Sequence, residues 1–277
     1  MAKKDTFLED IQEDLKQIAA PYQKDLNQRQ KKADLIKQCI QCAKKDDFLR
    51  LDELLKDKIA GAVEADGELE NCSEAFASLR EYADGKVERY RIQLIDDLTR
   101  LCDEAGLDLQ MDFPKFSVLK GIDGEIDFSG RCTVINKKVL KSIDPRRITA
   151  ALRKLKRQLY ERSYDPQQFI DALYVTYAST LKKENLAPGE VVSIQQFYLE
   201  HVISLQSKSF FLNMDKGKFK GYSLEQFSVD LWCYFEAGIG GTSGGYELQL
   251  RPGRNKSLWL LDSQGEQRQI TGISFQK

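Results

Sequence analysis

A strongly basic segment, residues 137–162, constrains the fold most. It reads KKVLKSIDPRRITAALRKLKRQLYER and carries ten Lys or Arg against two acids, in a chain whose formal net charge is −1. Asp144 can cap the first free N–H groups of a helix, and Pro145 suits the first helical position, where its missing N–H costs nothing. Apolar residues then recur at helical spacing: Ile148, Ala151, Leu152, Leu155 and Leu159. The segment therefore predicts an amphipathic helix whose outer face is almost entirely cationic.

Cations gathered on one helix face are the electrostatic pattern of phosphate binding, so nucleic acid is the first candidate partner. The candidate contacts come from this segment and from the C-terminal strands: Lys137, Lys138, Lys141, Arg146, Arg147, Arg153, Lys154, Arg157, Arg251 and Arg254. Arginines with little else polar fit contact with the DNA backbone better than hydrogen bonding to bases. The alternative is that the cationic face is solvated, or that it pairs with acidic residues of the same chain.

Charge is shared unevenly along the 277 residues. Residues 1–110 hold 18 basic and 25 acidic side chains, whereas residues 111–277 hold 24 and 18. This division suggests an acidic half for protein partners or solubility and a basic half for an anionic partner. No apolar run approaches the roughly 20 residues of a membrane span, and the N-terminus lacks the apolar core of a signal peptide. We expect a cytoplasmic protein with no membrane partner.

The first 110 residues predict an acidic helical hairpin, bundle or arm. A helix is expected from residue 5 to about residue 46, with Pro21 kinking or breaking it. Two apolar stripes are expected on it: Phe7, Ile11, Leu15 and Ile18, then Ala33, Ile36, Ile40 and Ala43. Further helical periodicity follows to Gly106, a candidate C-terminal cap. A packed antiparallel bundle and a coiled-coil arm that docks onto a larger protein both remain open.

From Phe113 the periodicity changes to short alternating runs separated by glycine turns. We expect a small antiparallel meander with Phe116, Val118, Ile126, Phe128, Cys132 and Val134 on one face. Further helices are expected from Asp165, Ser193 and Ser223. The fold class is therefore predicted as predominantly helical α+β, with a basic body of winged-helix character at 111–237. At 238–277 we expect a flexible Gly-rich linker and then a β-meander that packs on the body, either as a wing or as a capping sheet that pairs with the first meander.

Three features invite a chemical interpretation and each has a plainer one. Cys39 and Cys42 form a CxxC, but no second CxxC follows, so packing is favoured over zinc. Asp123, Glu125 and Asp127 alternate as an exposed strand face does, although a metal-dependent nuclease would need such carboxylates. His201 lies within a helix without a nucleophile motif, which favours a structural or solvent-facing histidine. We predict no enzymatic activity, no metal and no cofactor.

A family resemblance is carried by residues 165–236, which contain FIDALYVTYASTLKKENLAPGEVVSIQQFYLEHVISLQSKSFF and then YSLEQFSVDLWCYF. It depends on apolar spacing together with Tyr198, Gln206, Tyr222, Phe227 and Asp230. This segment resembles the small middle subunit of Lamassu-type anti-plasmid and anti-phage systems, which accompanies an SMC- or Rad50-like ATPase. The resemblance implies a non-catalytic subunit of a bacterial defence complex that bridges the ATPase to an effector nuclease and touches DNA.

Three functions remain in view. The first is this non-catalytic subunit of a DNA-associated complex, contacting DNA through the basic helix. The second is a free-standing, winged-helix-like DNA-binding regulator, which would need a self-contained dimer and residues that read bases. The third is a metal-dependent nuclease that uses the carboxylates near residue 125.

Overall fold

The computed structural model describes residues 2–67 and 71–277, with side chains described from residue 8. The chain divides into two compact units, one of residues 1–97 with 127–132 and one of residues 98–126 with 133–277.

The helices are α1 (Ala2–Lys44), α2 (Phe48–Lys56), α3 (Lys58–Glu64), α4 (Cys72–Glu104), α5 (Pro145–Leu159), α6 (Pro166–Glu184), α7 (Ile194–Ser204), α8 (Lys208–Asn213) and α9 (Leu224–Glu236), with a 3₁₀ turn at Lys216–Lys218. The strands are β1 (Gln110–Asp112), β2 (Lys115–Leu119), β3 (Ile122–Asp127), β4 (Cys132–Ile135), β5 (Lys138–Leu140), β6 (Val192–Ser193), β7 (Glu247–Pro252), β8 (Leu258–Leu261) and β9 (Gln267–Gln276). The predominantly helical α+β class is thereby confirmed, while the winged-helix likeness stays a prediction.

The first unit is held by a helical core whose residues come from α1 to α4. From α1 that core takes Leu35, Cys39 and Cys42, which recur at helical spacing and lie against α2 and α3. The predicted second stripe is therefore displaced by one residue, because Ile40 and Ala43 are exposed. Of the two alternatives expected at Pro21, a kink or a break, the break is wrong: α1 runs through this residue without interruption.

The first predicted stripe of α1 is not buried. Every described side chain from residue 8 to residue 31 is exposed, including Ile11, Leu15 and Ile18. The burial of Phe7 lies outside the described side chains. Residues 68–70, between α3 and α4, also lie outside the described residues. The helix α4 then ends as predicted, because Gly106 adopts a positive φ of 63° and Leu107 N–H donates to the Cys102 carbonyl at 2.9 Å.

The first sheet is the predicted antiparallel meander, with strand order β1-β2-β3-β4-β5. Phe116, Val118, Ile122 and Ile126 are buried, as alternation requires. On β4 the prediction was wrong by one residue, since Thr133 and Ile135 are buried and the neighbouring Cys132 and Val134 are only partly covered. A one-residue shift turns every side chain of a strand to the other face, so the error affects the whole of β4.

The second sheet has the order β6-β9-β7, with β8 paired to β9. It is separate from the first sheet, so the predicted pairing of the two meanders is wrong. One apolar core joins this sheet to α6, α7 and α9 and includes Tyr177, Phe197, Phe227 and Phe275. On α6, Phe169, Leu173 and Tyr177 face this core, and Val175 is exposed.

The Gly-rich segment at 238–245 is an ordered turn and not a flexible linker. The Asp171 carboxylate accepts hydrogen bonds from Ser243 N–H at 2.8 Å and from Ser243 Oγ at 2.6 Å. Thr242 N–H donates to the Tyr246 carbonyl at 2.9 Å and closes the turn. A Cβ on Gly241 would lie 2.5 Å from that same carbonyl oxygen, so this position requires glycine. The segment thus fastens the start of β7 to α6.

Candidate nucleic-acid interface

The basic helix α5 forms as its sequence predicts. Asp144 occupies the N-cap and accepts a hydrogen bond from Arg146 N–H at 2.8 Å, and Pro145 takes the first helical position. Ile148 and Leu152 are fully buried on the inner face, and Leu159 is nearly so. A cap, a proline at the start and an apolar stripe therefore fix both the beginning of α5 and the direction in which it faces.

The outer face of α5 is cationic along its whole length. It exposes five of the predicted contacts: Arg146, Arg147, Arg153, Lys154 and Arg157. At 1.5 Å per residue, the first and last of them lie about 16 Å apart along the helix axis. None of the five has an ion-pair partner within the described ranges 2–67 and 71–277. Within the second unit, to which α5 belongs, these cations therefore do not pair with acidic side chains.

Three further predicted contacts precede α5. Lys137 lies in the turn between β4 and β5, where Asn136 and Lys137 adopt φ values of 46° and 65°, and Lys138 begins β5. Lys138 forms an ion pair with Glu225 at 3.0 Å, so its charge is partly satisfied within the protein. Both lysines line a cavity of about 760 Å³ together with Glu225 and the half-exposed Trp259. Lys141 is exposed three residues before the cap of α5.

The last two predicted contacts belong to the other sheet. Arg251 lies on β7 and Arg254 in the turn that follows it, and both are exposed. This sheet is separate from the one whose last strand leads into α5. The five α5 cations share one helix face, whereas a common surface with Lys141 or with the arginines of the second sheet stays a prediction.

Two other cations of the basic segment have structural roles. Lys156 donates a hydrogen bond to the Gly106 carbonyl at 3.0 Å, at the C-terminal end of α4. Arg162 forms an ion pair with the buried carboxylate of Asp230. Neither was among the predicted nucleic-acid contacts. The segment therefore divides into cations that hold the fold together and cations that face solvent.

The Asp230 carboxylate is the centre of a polar network that sequence reasoning missed. Asp230 is 2 % exposed and accepts hydrogen bonds from the Tyr222 hydroxyl at 2.6 Å and from Gln226 Nε2 at 2.8 Å. Its main-chain carbonyl accepts another from the Tyr164 hydroxyl at 2.6 Å. Burial raises the pKa of the Tyr222 hydroxyl, which keeps it protonated as a donor. A buried carboxylate with an arginine and two donors is a satisfied structural site.

Several residues that carry the family resemblance belong to the same region. The Tyr198 hydroxyl donates to the Tyr222 carbonyl at 2.7 Å. The Gln206 side chain forms two hydrogen bonds with the main chain of Lys220. Its Nε2 donates to the Lys220 carbonyl at 2.9 Å, and its Oε1 accepts from the Lys220 N–H at 2.8 Å. These contacts fix the course of residues 206–222 between α7 and α9. Apolar spacing gave no indication of them, because the partners lie on different elements.

The carboxylates considered for a nuclease are exposed on or beside β3. Asp127 accepts hydrogen bonds from Gly130 N–H at 2.9 Å and from Ser129 Oγ at 2.7 Å, and these bonds hold its pKa below its usual range. They give Asp127 the role of closing the turn after β3. Asp123 and Glu125 are exposed on the strand itself.

The cysteine pair of α1 is packed in the helical core. Burial raises the pKa of both Cys39 and Cys42, so their thiols are held in the protonated form. Throughout residues 2–67 and 71–277, no group of three or more His, Cys, Asp or Glu side chains is arranged to hold a metal ion. This finding covers both the cysteines and the β3 carboxylates.

His201 lies in the aromatic core of the second unit. Its ring stacks on Phe197 with the centroids 6.2 Å apart, and its Nδ1 lies 3.3 Å from Thr176 Oγ1. Burial lowers its pKa to about 4, so the imidazole is neutral at physiological pH. The surroundings are those of a packing residue.

Among the described helices, none combines the length and the apolar character needed to cross a bilayer. Comparison of the chain with protein-family models, with curated proteins and with solved structures finds no match.

Proposed function

We propose that this chain is a non-catalytic subunit of a DNA-associated complex and that it contacts the DNA backbone through the outer face of α5. The observation that carries the proposal is the row of five exposed arginine and lysine side chains that have no acidic partner among the described residues. DNA phosphates can neutralise such a row of cations. Binding then releases the counterions condensed on the DNA, which favours the complex.

The chemistry of the row favours phosphate over bases. Base reading uses Asn, Gln or Arg directed at base edges, with a helix inserted into the major groove. The outer face of α5 presents cations spaced along about 16 Å and little other hydrogen-bonding capacity. Contact of this kind fixes position on a duplex without selecting a sequence. Contact without sequence selection suits a subunit that only has to stay on DNA while another component acts.

The finer assignment is a bacterial defence complex in which this cytoplasmic chain bridges an SMC- or Rad50-like ATPase to an effector nuclease. It is supported by the resemblance over residues 165–236 and by the long α1, whose exposed apolar stripe is suited to a helical partner. The proposal assigns chemistry to the partners and none to this chain.

The experiment that tests the assignment is a tagged pull-down from the native host, repeated after nuclease treatment. Recovery of a large coiled-coil ATPase that survives nuclease is expected. Recovery of the chain with DNA alone would contradict the subunit assignment and support a free-standing regulator. Recovery of neither ATPase nor DNA would contradict both functions.

A further inference from the structure

A cleft runs beside β8 within the second unit. Its volume is about 760 Å³, and its walls include the beginning of α9, the strand β8 and residues of β2 to β5. This volume lies in the range of pockets that bind ligands. Trp259 of β8 lines the cleft and is 50 % exposed. This space, the β8 cleft, therefore combines a defined volume with a large aromatic side chain that is only half covered.

The open edge of β8 faces this cleft. Asp262 N–H donates to the Glu266 carbonyl at 3.0 Å, across the turn to β9. Leu261 N–H instead donates to Ser228 Oγ of α9 at 2.8 Å, and Ser228 lines the cleft. Successive residues of an antiparallel strand direct their main-chain groups to opposite sides. The N–H and carbonyl of Trp259 therefore point as Leu261 N–H does, away from β9 and toward the cleft.

The main-chain groups of Trp259 are unpaired. Among the described strands, β8 pairs only with β9. Outside that pairing, neither the N–H nor the carbonyl of Trp259 takes part in a hydrogen bond within residues 2–67 and 71–277. A free donor and a free acceptor on a strand edge are a template for the main chain of another strand. Further along the same edge, Ser228 already accepts the Leu261 N–H, so Trp259 is the point at which a strand can be added.

The charges around the cleft are balanced. Three lysines and three carboxylates line it: Lys115, Lys137, Lys138, Asp123, Glu125 and Glu225. A polyanion inside the cleft would lie against the three carboxylates, whereas the outer face of α5 presents cations alone. The main chain of a polypeptide is uncharged and carries the donors and acceptors that the edge of β8 lacks. The cleft therefore suits an extended peptide rather than a nucleic-acid strand.

Apolar side chains beside the edge indicate which peptide fits. Leu224 of α9 and Leu258 of β8 line the cleft together with Trp259, and both are only partly buried. Residues directly opposite each other in paired strands are in contact, and aromatic side chains pair favourably there with β-branched or aromatic ones. A segment that pairs with Trp259 should therefore carry a β-branched or aromatic residue opposite it.

We propose that the β8 cleft binds an extended segment of a partner protein, which adds a strand to β8 and pairs its main chain with Trp259. The residue opposite Trp259 is β-branched or aromatic. Main-chain hydrogen bonds supply affinity in such strand addition, and the side-chain contacts supply specificity. A second copy of this chain is a poorer occupant, because its own β8 edge is set in the same kind of cleft. The proposal is independent of DNA contact by α5.

A phage-displayed library of linear peptides, selected on the full chain, supplies the probe for the test. Fluorescence anisotropy then measures binding of a labelled selected peptide. Trp259→Ala should weaken binding about thirty-fold, the loss typical of an interface tryptophan. Trp259→Pro should weaken it further, because it also removes the main-chain N–H at a position where a strand edge accepts proline. Leu199→Ala, which truncates an exposed apolar side chain of α7, is the matched control and should bind as the natural chain does.

N-methylation of the peptide tests main-chain pairing without changing the protein. Each residue of the peptide is N-methylated in turn, and strand addition predicts loss of binding at alternate positions only. Equal losses at every position, or at none, would overturn the proposal. Failure to select any peptide that prefers the natural chain to Trp259→Pro would overturn it too, with circular dichroism confirming that the variant is folded. A labelled oligonucleotide weakened by Trp259→Ala would place nucleic acid in the cleft instead. None of these results bears on phosphate contact by α5.

Discussion

Removing cations from the outer face of α5 should weaken DNA binding in a way that depends on salt. The perturbation is the triple variant Arg153→Ala, Lys154→Ala and Arg157→Ala. All three side chains are exposed and have no ion-pair partner among the described residues. Alanine is the best helix former, so the variant should retain α5 and the core beneath it.

The magnitude follows from counterion release. If all five free cations of α5 contact phosphates, the logarithm of the binding constant should fall with the logarithm of salt concentration with a slope of about −4.5. Each contact contributes about 0.9 to that slope. Relative to the affinity at 1 M salt, one contact therefore raises the affinity at 0.1 M salt roughly eight-fold. The triple variant should therefore lose about 500-fold in affinity at 0.1 M salt, and its slope should flatten to about −1.8.

The assay is fluorescence anisotropy of a labelled duplex at several salt concentrations. The matched control replaces three exposed lysines elsewhere in the second unit, Lys182, Lys208 and Lys216, with alanine and so changes the net charge equally. The control should keep the slope and lose little affinity. An unchanged slope in the α5 variant, or equal losses in variant and control, would refute the assignment of phosphate contacts to this face.

Three further predictions concern the fold beneath the interface. Asp230→Ala leaves Arg162 as an uncompensated charge and should lower the free energy of unfolding by about 3–5 kcal/mol in urea titration; a loss below about 1 kcal/mol would contradict the network. His201 has a folded pKa of about 4 against an ordinary value of 6.5, so the unfolded chain binds its proton first. Stability should therefore be lost as pH falls from about 6.5 to 4, by up to roughly 3 kcal/mol, and His201→Gln should remove this dependence. Gly241→Ala should destabilise by about 1–3 kcal/mol because its Cβ would meet the Tyr246 carbonyl, and an unchanged thermal midpoint would contradict the tight turn.

Local signals in the sequence were sufficient for α5. Asp144, Pro145 and the apolar spacing after them specify a helix start and an inner face within fifteen residues of chain. The same holds for the end of α4 at Gly106, where a glycine supplies the left-handed conformation of the cap. These features need no knowledge of distant partners.

The errors arose where burial depends on another element. On α1 the sequence offers apolar residues on adjacent faces, and only the position of α2 and α3 selects Leu35, Cys39 and Cys42 over Ile36 and Ile40. On β4, Thr133 is buried because its hydroxyl donates to the Ser142 carbonyl at 2.9 Å, a partner that alternation does not show. The spacing of apolar residues along the chain does not indicate side-chain hydrogen bonds of this kind.

The Asp230 network and the Gly-rich turn have the same explanation. Arg162 and Asp230 are 68 residues apart in the chain, and Asp171 and Ser243 are 72 apart. Composition alone made residues 238–245 appear to be a linker, because glycine serves both flexible segments and tight turns. The hydrogen bonds of Ser243 distinguish the two.

Lysine footprinting of the protein with and without duplex DNA tests the central claim most directly. Chemical acetylation followed by mass spectrometry reports the accessibility of each lysine at low salt. Lys154 on α5 and Lys141 before it should be protected by DNA, and Lys182 on α6 should be modified equally in both states. Equal modification of Lys154 with and without saturating DNA would contradict the claim that the outer face of α5 is the surface that binds phosphate.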